Sequence, residues 1–146
     1  MKRLLVAYDG SEASTKAIDV AVQCCTPEDE VVLLTVIPAE LVESTFTNML
    51  LPTIDLSTVV TPGTFKEKAM ENLGKLAKDL EGKIGKVDVA VEAGDPADEI
   101  LLVAKKYDSD IILIGYKGYG KEGRFLLGSV TDKVVRHASR SVLVVR

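Results

Sequence analysis

Apolar and polar residues alternate along this chain in blocks of two kinds. Residues 4–8 (LLVAY) are a short apolar run that stops at Asp9-Gly10-Ser11, a turn sequence. Ala13, Ala17, Ile18, Ala21, Val22 and Cys25 then recur at helical spacing, and residues 27–29 (PED) close the unit. Residues 31–37 (VVLLTVI) are apolar almost throughout, which predicts a strand covered on both faces. Over 63–82, Phe65, Ala69, Leu73, Leu76, Ala77 and Leu80 fall on one stripe of a predicted helix. Residues 86–93 change period: Val87, Val89 and Val91 share one face, Asp88 and Glu92 the other. That pattern suits a strand near the edge of a sheet. Asp95 and Pro96 mark a helix start as N-cap and first helical residue, followed by a stripe of Ala97, Ile100, Leu101 and Ala104. Residues 111–114 (IILI) are a buried strand. Ser129, with Asp132 three positions on, reads as a capping box for a last helix whose Val130, Val134 and Ala138 face inward. Residues 141–145 (SVLVV) close the pattern as a final strand. Only 38–62 resists the scheme. It is a loop insertion with three prolines, and its Met49-Leu50-Leu51 is expected to pack on its own domain.

Strands that alternate with helices and are mostly apolar predict an α/β fold. The expectation is a single domain over 1–146: an open, parallel, five-stranded sheet with helices on both faces. A central first strand beside the fourth gives the order 3-2-1-4-5, a Rossmann-like arrangement.

Composition narrows the function. Apolar residues are 47% and charged residues 27% of the chain, ordinary for a globular protein. A net charge of −4 argues against broad nucleic-acid or acidic-membrane binding. The apolar run after Met1-Lys2-Arg3 is too short for a signal peptide and no run reaches transmembrane length, so a cytoplasmic protein is expected. Cys24 and Cys25 are adjacent, match no metal spacing, and read as buried or half-buried structural thiols. His137 reads as a partly exposed structural histidine. No Ser-His-Asp or metal constellation is present.

The candidate chemistry lies in 115–132 (GYKGYGKEGRFLLGSVTD), which reads strand end, glycine loop, helix start. Glycine permits positive φ and close approach of a ligand to the backbone. A helix N-terminus offers unpaired N–H groups and partial positive charge. Together they make a phosphate site, to which Lys117, Lys121 and Arg124 add charge. Two familiar motifs fall short. Residues 115–121 fit G-x-x-x-x-G-K, but Glu122 replaces the Mg²⁺-binding hydroxyl. Gly118-x-Gly120-x-x-Gly123 fits the dinucleotide pattern, yet does not run straight from strand into helix. In the expected strand order the crevice lies between Asp9 and Gly115, with Val36 as an apolar wall for a flat base. Asp9 either orients a base or ribose, approaches a metal, or serves only its turn; Ser129 bonds a phosphate oxygen, caps its helix, or does both. A phosphotransfer receiver domain shares the architecture, but Asp9 stands alone and the third strand ends in Glu92-Ala93-Gly94 without an acceptor Asp.

Gly115, Gly118, Gly128 and Ser129 have the spacing G-x2-G-x9-G-[S/T], and the chain resembles the universal stress proteins. Its opening (LLVAYDGSEAS) and closing (LLGSVTDKVVRHASRSVLVV) stretches are similar too, so the likeness spans the whole chain. The resemblance implies ATP binding. Ala7, Asp9 and Val36 would line the base and ribose side. Ile114, Gly115, Lys117 and Gly118 would follow the first glycine turn, and Gly128, Ser129 and Val130 would hold phosphates, with any Mg²⁺ or Mn²⁺ carried by the phosphates. Tyr116 is bulkier than the small residue often found there. The resemblance also implies a homodimer and a role in stress tolerance. An apolar edge strand at 141–145 independently invites pairing with a second copy. The expected activity is that of a nucleotide-dependent regulatory module. A slow ATPase or phosphoryl-transfer enzyme on the same fold is the alternative; no base for an attacking water is evident. A relative that dimerises without nucleotide is a third reading, opposed by the complete glycine signature.

Overall fold

A computed structural model describes residues 1–39, 62–118 and 126–146. Most of the predicted insertion, with Met49-Leu50-Leu51, lies outside the described residues, as do Gly120, Lys121, Glu122, Gly123 and Arg124. In chain order the elements are β1 (Arg3–Ala7), α1 (Glu12–Cys24), β2 (Glu30–Pro38), α2 (Pro62–Asp79), β3 (Lys86–Gly94), α3 (Pro96–Lys106), β4 (Ile111–Gly115), α4 (Ser129–His137) and β5 (Ser141–Val145).

The strands form one parallel sheet in the order β3-β2-β1-β4-β5, as the alternation of the sequence predicts. Leu5 pairs with Val32 on one side and Ile112 on the other, so β1 is central. Side chains alternate across the sheet and fill two cores. Leu4, Val6, Val31, Leu33 and Leu113 pack with α1 and α2, where the predicted stripe from Phe65 to Leu80 meets Val87, Val89 and Val91 of edge strand β3. Leu5, Val32, Leu34, Ile112 and Ile114 pack with Ala97, Ile100, Val103 and Ala104 of α3 and Val134 of α4. Both faces are thereby covered, which explains why β2 and β4 are apolar without alternation.

The amino end of the sheet is tied shut. The buried carboxylate of Asp29 accepts the Lys2 N–H at 2.7 Å, the Thr26 N–H at 2.8 Å and the Thr26 hydroxyl at 3.0 Å. Those bonds, that from Thr26 first, hold its carboxyl far below the usual carboxylate range. Nearby, Asp110 accepts the Arg3 N–H at 2.8 Å, and Arg3 Nε meets Glu30 at 3.0 Å. Gly85 lies against the Pro27 and Asp29 carbonyls, where a Cβ has no room.

Three local expectations are corrected. Helix α2 stops at Asp79, short of Gly82, because Leu80 and Glu81 donate to the carbonyls three residues back and Gly82 turns with φ +80°. Cys25 is half-buried in the core beside α1, and burial raises its thiol pKa. Cys24 is exposed at the end of α1, so only one of the pair is a packed thiol. Last, the N-cap of α4 is Gly128, not Ser129, and no side chain bonds the cap position. Asp132 accepts from Arg136 Nε at 2.9 Å instead of closing a capping box. Ser129 already has helical geometry, so its hydroxyl is one position too late to cap.

Candidate functional site

At the carboxyl end of the sheet a cavity of about 550 Å³ opens where β1 and β4 part. Chain connections leave those two neighbours in opposite directions, which creates the crevice. Ala7, Asp9, Val36, Ile114, Gly115, Lys117, Gly118, Gly128, Ser129 and Val130 all line it. The ends of β1, β2 and β4 and the start of α4 bring these ten residues to one cavity, while Lys121 and Arg124 lie outside the described residues.

The lining is chemically mixed. Ala7, Leu34, Val36, Pro38, Ile100 and Ile114 supply apolar surface, and Lys117, Gly118 and the start of α4 line the same cavity. Lys117 is the one cationic side chain among the described lining residues, and Asp9 the one carboxylate. Gly128, with φ −56° and ψ 151°, leads into α4 without a side-chain capping bond, and Gly128, Ser129 and Val130 line the cavity. Thr131, which the sequence reading passed over, fixes this start: its buried hydroxyl donates to the Gly115 carbonyl at 2.7 Å. The Gly128 N–H also donates to the Tyr116 carbonyl at 2.7 Å, joining the two glycine turns directly.

Asp9 divides its oxygens between two tasks. Oδ1 accepts the Ser11 N–H at 2.9 Å, closing the turn into α1. Oδ2 stands 2.7 Å from the place a Cβ would occupy on Gly118, so it lies directly against the glycine turn. The turn reading of Asp9 is thus observed, and its second oxygen lies at the cavity beside Gly118. Ser11 caps α1 by accepting the Ser14 N–H, and Ser14 Oγ accepts the Asp9 N–H at 3.3 Å. Gly115 is needed for another reason than a ligand: a Cβ there would lie 2.7 Å from Ala13 Cβ and 3.0 Å from the Ala13 carbonyl carbon. Only glycine lets α1 press this close to β4.

Helix α3 begins at the same rim with the opposite character. Its N-cap Asp95 accepts the Asp98 N–H at 2.9 Å, and Pro96 follows. Lys133 of α4 lies 3.0 Å from both Asp95 and Asp98, pinning the two helices together. The Asp98 N–H, then Lys133, hold the Asp95 carboxyl below its usual range, while both carboxylates raise the Lys133 pKa. Tyr8, Thr35, Pro96 and Ile100 also line the cavity, unpredicted. Tyr8 and Thr35 follow from register, since Thr35 Oγ1 donates to the Tyr8 carbonyl at 2.8 Å across β1 and β2. Among the described residues, no group of three or more His, Cys, Asp or Glu is placed to hold a metal ion.

Comparison with known proteins agrees with this geometry. A family model described as "Universal stress protein family" matches residues 1–146. Universal stress protein MJ0531 of Methanocaldococcus jannaschii is 32% identical over 146 residues, covering 99% of this chain and 82% of the relative. The solved structure of MJ0577, from the same archaeon, superposes with a TM-score of 0.82 at 30% identity, covering 99% of this chain and 94% of that one. A more distant Arabidopsis thaliana protein, At3g01520, shares the fold at a TM-score of 0.64 and 17% identity, covering 99% of this chain and 90% of that one; its structure has AMP bound. No helix among the described residues is long and apolar enough to cross a membrane.

Proposed function

The chain belongs to the universal stress protein family, and from that premise we propose that the carboxyl-end cavity binds ATP. The observation that carries the reading is the gathering of all ten signature residues around one cavity with apolar surface and an uncapped helix start. In this reading the adenine lies against Val36, Ala7 and Ile100, and Asp9 serves the ribose side. The phosphates follow Lys117 and Gly118 toward Gly128, Ser129 and Val130 at the start of α4. The bound AMP of the Arabidopsis protein supports a nucleotide in this fold. Mg²⁺ or Mn²⁺ fits as an ion carried by the phosphates, because Asp9 is the one carboxylate lining the described cavity and spends one oxygen on its turn.

The protein acts in this reading as a cytoplasmic regulatory module in stress tolerance. ATP orders the glycine turns and changes a partner surface, provided the two states differ in ATP affinity. It works as a homodimer, since edge strand β5 presents unpaired backbone and a half-exposed Leu143 that a second copy would cover.

Calorimetry with ATP tests the site. Gly118→Val drives a side chain onto Asp9 Oδ2 and is expected to abolish binding while the chain stays folded; unchanged affinity would refute the assignment. ATP turnover above background that disappears in Asp9→Ala would make the protein an enzyme instead.

A further inference from the structure

A second cavity, of about 470 Å³, lies on the α1 side of the same sheet end. Lys16, Lys117 and Arg146 line it, together with Tyr116, Ser11 and Glu12. Three cationic side chains therefore converge beside one carboxylate, in a chain whose net charge is −4. That carboxylate, on Glu12, is engaged by Lys16 at 3.2 Å. Tyr116 organises the other two cations: Lys117 Nζ stands 5.3 Å and the Arg146 guanidinium carbon 5.1 Å from its ring centroid. The ring that is too bulky for the family pattern thus serves as a platform that holds two positive charges at the cavity wall. The first turn of α1 adds its positive dipole end to the same space. Lys117 and Gly118 also line the first cavity, so the two spaces share a wall.

We propose that this second cavity is a phosphate-binding subsite, distinct from the start of α4. A phosphate group would be held by Arg146, Lys117 and Lys16, with Glu12 as the competitor it displaces from Lys16. The phosphate comes either from the far end of a nucleotide whose chain crosses the Lys117–Gly118 wall, or from a separate phosphorylated molecule. The subsite stands on its own residues and does not need the ATP reading to be correct.

Inorganic pyrophosphate is the probe, titrated by calorimetry into the full chain carrying Ser129→Asp, which repels anions from the start of α4. Saturable binding is expected there, weakened about tenfold by Lys16→Gln with Arg146→Gln and strengthened by Glu12→Gln, which frees Lys16. No saturable binding, or binding indifferent to all three substitutions, overturns the subsite whatever ATP does at the first cavity. In the chain without Ser129→Asp, a preference for ATP over AMP that shrinks in the Lys16→Gln, Arg146→Gln protein assigns the phosphate to the nucleotide. Pyrophosphate that binds equally well with saturating ATP present assigns it to a second molecule. Circular dichroism of each variant separates lost binding from lost fold.

Discussion

The two ends of one sheet are finished in opposite ways. At the amino end, Asp29 gathers Lys2 and Thr26, Arg3 is bonded to Asp110 and Glu30, and Gly85 lets the chain close against the Pro27 carbonyl. At the carboxyl end, β1 and β4 part, α4 starts on an uncapped glycine, and two cavities remain. The polar groups named at the first end bond within the chain, although the buried Ser109 hydroxyl beside them has no partner among the described residues; at the second, a cavity adjoins the start of α4. Even within the carboxyl end the contrast repeats: α3 is sealed by Asp95 and Pro96, while α4 is left open. An acid at a helix start excludes an anion, and a glycine admits one.

The largest expected effect breaks the carboxyl end where it is structural. Gly115→Val forces carbon against Ala13, whose backbone cannot move without shifting α1. A loss of about 3 kcal/mol is expected from overpacking, read as a lower urea midpoint at unchanged slope. Ser129→Asp is next and separates function from fold. It gives α4 the acidic start that α3 has, so ATP binding should weaken by about 2 kcal/mol, roughly thirtyfold, with no loss of stability. A matching fall in stability would mean that the start of α4 is structural too. The smallest effect tests the sealed helix. Asp95→Ala removes a cap and should cost about 1 kcal/mol. Because Asp95 has a folded pKa below its unfolded value, its contribution is full above about pH 4 and fades as pH falls through the lower folded value. The wild-type and Asp95→Ala unfolding curves should therefore converge in acid; a constant gap would show that the charge of Asp95 is irrelevant.

Much of this was readable from local pattern. The unbroken apolar runs of β2 and β4 announced strands covered on both faces, and the period of two in β3 announced an edge. Asp95 and Pro96 marked α3 to the residue. Ser129 misled because serine is a better cap than glycine in general, whereas this helix leaves its cap without a side chain. Thr131 escaped notice because its role depends on the Gly115 carbonyl, which lies sixteen residues away in sequence. Cys24 and Cys25 look equivalent in the chain, but Cys24 ends α1 while Cys25 is its extended C-cap residue, and only Cys25 reaches the core.

By itself, then, the order of apolar periods and turn residues determined the elements, the parallel sheet and the placing of Asp9, Val36 and Gly115 at its carboxyl end, because those depend on short-range sterics and on where apolar surface must go; the rest of the group came from the family resemblance. The tertiary structure alone decided how those residues divide their work. It turned Gly115 toward Ala13, split Asp9 between a turn and Gly118, and set Tyr116 between Lys117 and Arg146. Such assignments depend on distances between segments remote in sequence, which no local period encodes.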